Sequence, residues 1–437
     1  MFTTVYRRTD SNSLQHFGTA ARVIKLEKKN HRSIKEELMS AAASTTMLPN
    51  ELIVEVISWL PVKHLMQVRC ANKFFNTLLS DPYFVQMHLK KSSRNPHLAL
   101  MWQHNPSCRD CRFITFPISS LIQSDPNHTT LHDNPYHGFD ENYQRWWVVG
   151  SCNGLLCLID IHCSGSYDSL FFWNPATRTY SRRISISLPS NFKFAFGYDN
   201  STETYKVVAF RGYIEGDIVR SVVNIFSLGN KHSRNIQCFP VIPLYWIYGD
   251  KNNGVHLNGT ISWLALHDYF DSNYDFCWKD GSVTVEKYVI VSLDLSSETY
   301  TQLLLPRGFE EVPRYQPTLV VLMDCLCFSY DFKGTHFVIW KMKNFGVHES
   351  WIQLFNISYQ SFFSCYCDYA IVEKFKGLDL LPLYLSENGD TLILVNDEDE
   401  VTFIYNCRDK RVEKIEVDNS ILWSWAKDYV ESLVSIH

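Results

Sequence analysis

Long apolar runs are missing from this chain of 437 residues. None reaches the roughly 18 residues that a bilayer-crossing helix needs. The longest candidate, Leu319 to Phe328, is cut by Asp324. The first thirty residues hold no apolar segment of the secretory type, so no signal peptide is expected. An excess of one charge is missing too. Lys and Arg number 41 against 46 Asp and Glu, a net of -5, with no basic stripe for nucleic acid. Neither a nucleic-acid nor a membrane partner is therefore expected. The motifs GxSxG and GxGxxG and the phosphate-binding loop are absent. His348-Glu349 opens like a zinc-protease helix, but Ile352 stands where the second histidine ligand would be. No catalytic residue, metal or cofactor is expected from the motifs.

What the chain does have is cysteine and aromatic residues. Thirteen cysteines, an odd number in a chain without a signal peptide, point to reduced thiols in the cytoplasm or nucleus. The sequons at Asn127, Asn200, Asn258 and Asn356 would then be idle. Cys108 and Cys111 form a CxxC without a second pair to complete a zinc site. Cys325/Cys327 and Cys365/Cys367 have CxC spacing, which on a strand puts both thiols on one face as small buried side chains. Aromatics make up 14% of the chain and fall mostly after residue 74, a composition that favours strands. Residues 1–45 read as a disordered or dispensable leader. Up to residue 46 there are eight Lys and Arg against four Asp and Glu, and Met39 offers an alternative start.

The stretch from Leu48 to Phe84 is unlike the rest. Leu52, Ile53, Val56, Ile57 and Leu60 recur at helical spacing, and Pro61 is expected to stop that helix. A second helical run starts near Lys63, with Leu65 and Val68 inward. A third carries Phe74, Phe75, Leu78 and Leu79. Asp81-Pro82 reads as an N-cap and first-turn pair opening a fourth. So short a unit covers only a modest core, and it holds more large apolar side chains than that core needs.

The order LPxELIxEVIxxLPVKxLMQxRCxxKxFNxLLxDPxF resembles the F-box, the adaptor-binding module of SCF-type ubiquitin ligases. The resemblance implies an F-box over residues 46–90 that docks on a Skp1-type adaptor and, through it, on a cullin. Carried over position by position, the contacts would be Leu48, Pro49, Leu52, Val56, Leu60, Pro61, Val62 and Leu65. His64 departs from the small or polar residue usual after the lysine.

After Phe84 the period changes from helix to strand. From Trp146 onward short strands follow one another at even spacing, with turn residues between them. A loose repeat runs through them. An Asn-Gly turn followed by an apolar strand occurs at Asn153-Gly154, Asn258-Gly259 and Asn388-Gly389. A strand ending in Asp or Asn and a polar turn occurs at Asn174–Arg178, Asp294–Glu298 and Asn406–Lys410. The pattern predicts four-stranded blades, hence a large all-β domain of β-propeller type after the small all-α F-box. A large β-sandwich is the alternative, because counting strands does not settle closure. Ser119 to Tyr143 reads as a loop, and Trp423 to Val434 as helical, giving a C-terminal helix or tail over 421–437.

SCNGLLCL, FWNPATRTY and FGYDNSTETYKVV resemble the plant F-box-associated domain of the kelch-like type, over residues 95–420. The resemblance implies a propeller that recruits a target protein for ubiquitination. The diglycines of true kelch repeats are not evident. Candidate target contacts are aromatic residues in long polar connections: Tyr245, Trp246, Tyr248, Tyr269, Phe270 and Trp278, with Tyr274 and Phe276 beside them. Asp397–Glu400 reads as a solvated hairpin tip. A propeller enzyme or carbohydrate-binding protein with a helical leader is the rival reading.

Overall fold

A computed structural model describes residues 49–103, 111–123, 137–138, 145–161, 167–189, 192–216, 218–230, 233–244, 253–267, 283–365, 378–397, 401–415 and 421–436. The chain divides into two compact units, one up to Arg94 and one from Asn95.

The first unit is helical. It comprises α1 (Asn50–Ile57), α2 (Val62–Arg69), α3 (Lys73–Leu79) and α4 (Pro82–Ser92). The caps follow from the residues. Asn72 accepts a hydrogen bond from Phe75 N–H and Asp81 one from Phe84 N–H, each at 3.0 Å. Pro61 does not end α1, which stops at Ile57. It is instead the N-cap of α2, where its missing N–H is no loss. Val62, Leu65, Leu79 and Phe84 are buried. His88 is buried as well, with Nε2 3.0 Å from the Leu60 carbonyl. Lys91 ties α4 back to the end of α1: its ammonium lies 2.6 Å from Glu55 and donates to Ser58 Oγ at 2.7 Å.

The second unit is a six-bladed β-propeller of antiparallel sheets. Blade two is β4 (Arg145–Cys152), β5 (Leu155–Ile161), β6 (Tyr167–Asn174) and β7 (Thr179–Tyr180), with β8 (Ile184–Leu188) also on β6. Blade three is β9 (Lys193–Asp199), β10 (Thr204–Glu215), β11 (Ile218–Ser227) and β12 (Arg234–Asn235). Blade four is β13 (Val255–Leu257), β14 (Thr260–Leu266), β15 (Tyr288–Asp294) and β16 (Tyr300–Leu303). Blade five is β17 (Thr318–Leu322), β18 (Cys325–Phe332), β19 (His336–Met342) and β20 (Trp351–Ser358). Blade six is β21 (Leu380–Leu385), β22 (Thr391–Asn396), β23 (Val401–Asn406) and β24 (Arg411–Ile415).

Blade one joins the two ends of the unit. Its β1 (His97–Gln103), β2 (Cys111–Pro117) and β3 (His137–Gly138) come first in sequence, and its innermost strand, β25 (Ile421–Tyr429), comes last. The inner strands touch in a cycle, β25 to β4, β9, β13, β17, β21 and back to β25. That cycle closes the ring and decides against a sandwich. It also corrects the expectation for 421–437, where a strand and an extended tail replace the helix. The propeller therefore runs past residue 420. One more element corrects the loop expected after Ser119: α5 (Ile118–Gln123) follows β2 directly.

Alternation along the strands builds the seams between blades. Ala99 and Met101 pack with Trp146 and Leu158 of blade two, while Leu98 and Leu100 pack with Ile393 and Val395 of blade six. Trp263 and Phe210 make the same kind of seam between blades three and four, their rings 5.7 Å apart and edge-on. The repeat has one geometry wherever the motif recurs. Asn174, Asp199, Asp294 and Asn406 each accept backbone N–H bonds from the turn that follows. The residue leaving each turn, Arg178, Glu203, Glu298 or Lys410, takes a φ of 51–59°.

Candidate functional site

On the helical unit, the sequence-derived contacts separate by exposure. Pro49, Leu52 and Pro61 are exposed, and Val56 and Leu60 are half-buried. Val62 and Leu65 are fully buried, so their carry-over to the contact surface is corrected: they are core side chains of the unit. Leu48 lies outside the described residues. Leu52 and Val56 stand at i and i+4 on one side of α1, and Trp59 follows in the turn just beyond its end. Trp59, half exposed at 51%, is a residue that helical spacing alone could have found. Glu55 accepts from its indole N–H at 3.3 Å, and the Lys91 ammonium stands 4.8 Å from its ring centroid. A large apolar side chain is thus fixed in place and still open to solvent. Phe74 and Tyr83 are exposed as well.

On the propeller, Tyr245, Trp246, Tyr248, Tyr269, Phe270 and Trp278 lie outside the described residues, as do Tyr274, Phe276, Cys108 and Glu398–Glu400. The strands that flank these aromatics are described. By the antiparallel strand order, β10 and β14 end on the same side of the ring.

The rival enzyme reading needs a nucleophile or a ligand cluster. Among the described residues no group of three or more His, Cys, Asp or Glu side chains is placed to hold a metal ion. Among the described residues a thiol–imidazole pair is present that the sequence did not suggest. Cys152 Sγ on β4 is 3.5 Å from His256 Nδ1 on β13, and His256 Nε2 lies 3.2 Å from the backbone N–H of Tyr198 on β9. The pair bridges inner strands of three blades. Burial pushes the Cys152 thiol up, and the Asp428 carboxylate adds to that push. Burial also lowers His256. Both shifts favour neutral partners. A protonated thiol beside a neutral ring is a packed contact and not an activated nucleophile. Cys327 on β18 is likewise buried, its thiol pushed up to about 12, but Cys325 and Cys365 are only half-buried and Cys367 lies outside the described residues, so burial holds for one member of the CxC pairs.

Comparison with known families matches residues 46–87 to the F-box domain and residues 109–436 to the F-box associated beta propeller domain. An F-box/kelch-repeat protein of Arabidopsis thaliana is 28% identical over 410 residues, 89% of this chain and 95% of that protein. A second Arabidopsis thaliana F-box protein is 27% identical over 296 residues, 63% of this chain and 64% of its own length. The helical unit, the closed six-bladed ring and both family matches agree: this chain belongs to the F-box proteins that carry an F-box associated β-propeller domain.

Proposed function

We propose that the chain is the substrate-recruiting subunit of an SCF-type ubiquitin ligase. The helical unit binds a Skp1-type adaptor, and through it a cullin. The propeller holds a target protein. The observation that carries the first half is the row of exposed Leu52, half-buried Val56 and exposed Trp59 on a unit that already buries Val62, Leu65, Leu79 and Phe84. Pro49, Leu60 and Pro61 extend the contact surface at either end. Side chains of this size, left exposed, mark a docking surface on a small unit. The second half rests on the family match, with the aromatic connections at Tyr245–Tyr248 and Tyr269–Trp278 as the target-facing candidates.

The mechanism is proximity. Holding a target beside a ubiquitin-charged enzyme raises the effective concentration of its lysines, and no side chain of this chain takes part in bond making. The chain acts in the cytoplasm, the nucleus or both. The test is co-expression with a Skp1-type adaptor followed by size-exclusion chromatography. Wild type should co-elute with the adaptor. Leu52→Asp/Val56→Asp should not, because two carboxylates would be desolvated without partners at the contact. A folded wild type that elutes alone would sink the reading.

A further inference from the structure

Among the described residues Arg211 is a cation with no opposite charge beside it, and its Nε is buried without a hydrogen-bond acceptor. The sequence placed no function there. Arg211 sits on β10 at the first position past the last pair with β9, which is Phe210↔Lys193. From Arg211 to Glu215 the strand pairs with β11 alone, out to Glu215↔Ile218. Past Phe210 the hairpin is therefore a two-stranded ribbon with no ladder partner on the β9 side among the described residues.

Two rings hold the guanidinium. Its carbon lies 5.5 Å from the Phe192 centroid and 5.7 Å from that of Tyr213. Phe192 is itself buried, which fixes that platform. Arg220 Nε meets Glu215 Oε2 at 2.7 Å, and Asp217, at the turn of the hairpin, lies outside the described residues. Glu215 is thus already engaged. Val219, on the same ribbon, is 40% exposed.

Stacking on aromatic faces favours the cation but supplies no acceptor for its N–H groups. A half-buried guanidinium left without an anion is unfavourable in the free protein. The same arrangement is well suited to binding, because the side chain is already ordered and loses little freedom when a ligand arrives. Guanidinium presents a planar fork that matches the oxygens of a carboxylate or a phosphate. Gly212 is buried, so the backbone groups that an extended peptide could pair with lie toward the exposed Glu215 end of the ribbon.

We infer that Arg211 is an oxyanion anchor, taking the carboxylate or phosphate of a side chain on an extended segment of the target. This rests on the proposed role of the propeller as a target recruiter.

The test uses the full chain purified with its Skp1-type adaptor and fluorescent degenerate nonapeptides. Three pools carry Glu, phosphothreonine or Gln at the central position. Anisotropy titrations should show at least one anionic pool bound more tightly than the Gln pool. The ratio between the Glu and phosphothreonine pools separates the two sources of oxyanion. Arg211→Met, which keeps an apolar stem, should weaken the preferred anionic pool roughly 10–100-fold and leave the Gln pool unchanged. Arg211→Lys keeps the charge without the fork and should fall between the two, so the inference stays testable even where the Met variant folds poorly. No preference for either anionic pool over Gln, or equal binding by both variants, would overturn it. Adaptor co-purification in each preparation keeps the two claims apart. Loss of the adaptor counts against the ligase reading, and equal binding with the adaptor present counts against Arg211 alone.

Discussion

Lys206 and Asp199 meet at 2.7 Å with almost no contact with solvent, their residues 5% and 0% exposed. Both belong to blade three, but the pair reaches blade four. Lys206 donates to the Leu295 carbonyl at 2.5 Å, and Asp199 accepts from Ser296 Oγ at 2.6 Å. Glu298 of blade four stands 3.3 Å from the ammonium and is met from outside by Arg234. One ion network thus locks a seam of the ring.

Breaking that lock should be costly. Lys206→Met leaves the Asp199 carboxylate buried without its cation, a change worth about 3–5 kcal/mol. Urea unfolding of the variant against wild type measures it. Replacing both residues together should cost less than the sum of the two single changes, since each single change strands the other group.

The same carboxylate sets an acid limit. Burial alone would raise Asp199, but hydrogen bonds from Lys206, Ser296, Thr202 and Ser201 outweigh it and hold the group well below the usual carboxylate range. In the unfolded chain it titrates near its ordinary value of about 3.9. Its contribution is complete above roughly pH 5 and declines as pH falls below that, because the unfolded state then takes up a proton that the folded state refuses. Urea midpoints measured from pH 7 down to pH 4 should fall at the acid end. They should fall less steeply in Lys206→Met.

The C-terminal tail should behave as part of the ring. The Asn174 amide donates to the carbonyls of Ser432 and Val434, each at 3.0 Å, while its oxygen accepts from Ala176 and Thr177 N–H. Asn174→Asp turns a double donor into a charge facing two carbonyls and should destabilise more than Asn174→Ala, itself worth roughly 2–4 kcal/mol as buried groups lose partners. Gly154 offers a second check. At φ +79°, an added Cβ would stand 2.3 Å from Ser432 Oγ, whereas at Gly389, φ +72°, nothing lies within 4 Å. Gly154→Ala should therefore lower the melting temperature distinctly more than Gly389→Ala, which pays only the backbone penalty of about 1 kcal/mol.

Thiol reactivity should follow burial. Cys70 and Cys238 are exposed, and Cys152, Cys157 and Cys327 are buried. Maleimide labelling of the native protein near pH 7, read by peptide mass spectrometry, should mark the first two promptly. The other three should react only on unfolding.

Much of this was legible in the sequence, and the misses have physical causes. The Asn-Gly and Asp/Asn turns announced blade corners because only certain residues tolerate positive φ there, as at Asn153 and Asn258. Ring closure was not legible, since the pairing of β25 with β1 joins residues more than three hundred positions apart. The same strand was misread as a helix for a local reason. Ala99 pairs with Lys427 and Met101 with Leu422, so four residues of β25 bulge against Leu100 alone. Trp423, Ala426 and Tyr429 are the buried positions that result, and a spacing of three mimics a helix. Val62 and Leu65 were assigned to the docking surface by position in a motif. Position does not say which apolar side chains a small unit keeps for its own core.

Amide hydrogen exchange of the full chain, with and without a Skp1-type adaptor, reads adaptor docking on the helical unit directly. New protection is expected from Asn50 to Leu60, around Leu52, Val56 and Trp59, with the propeller strands β4 to β24 unchanged. Protection confined to the propeller, or none at all with a folded chain and the adaptor in excess, would contradict that docking.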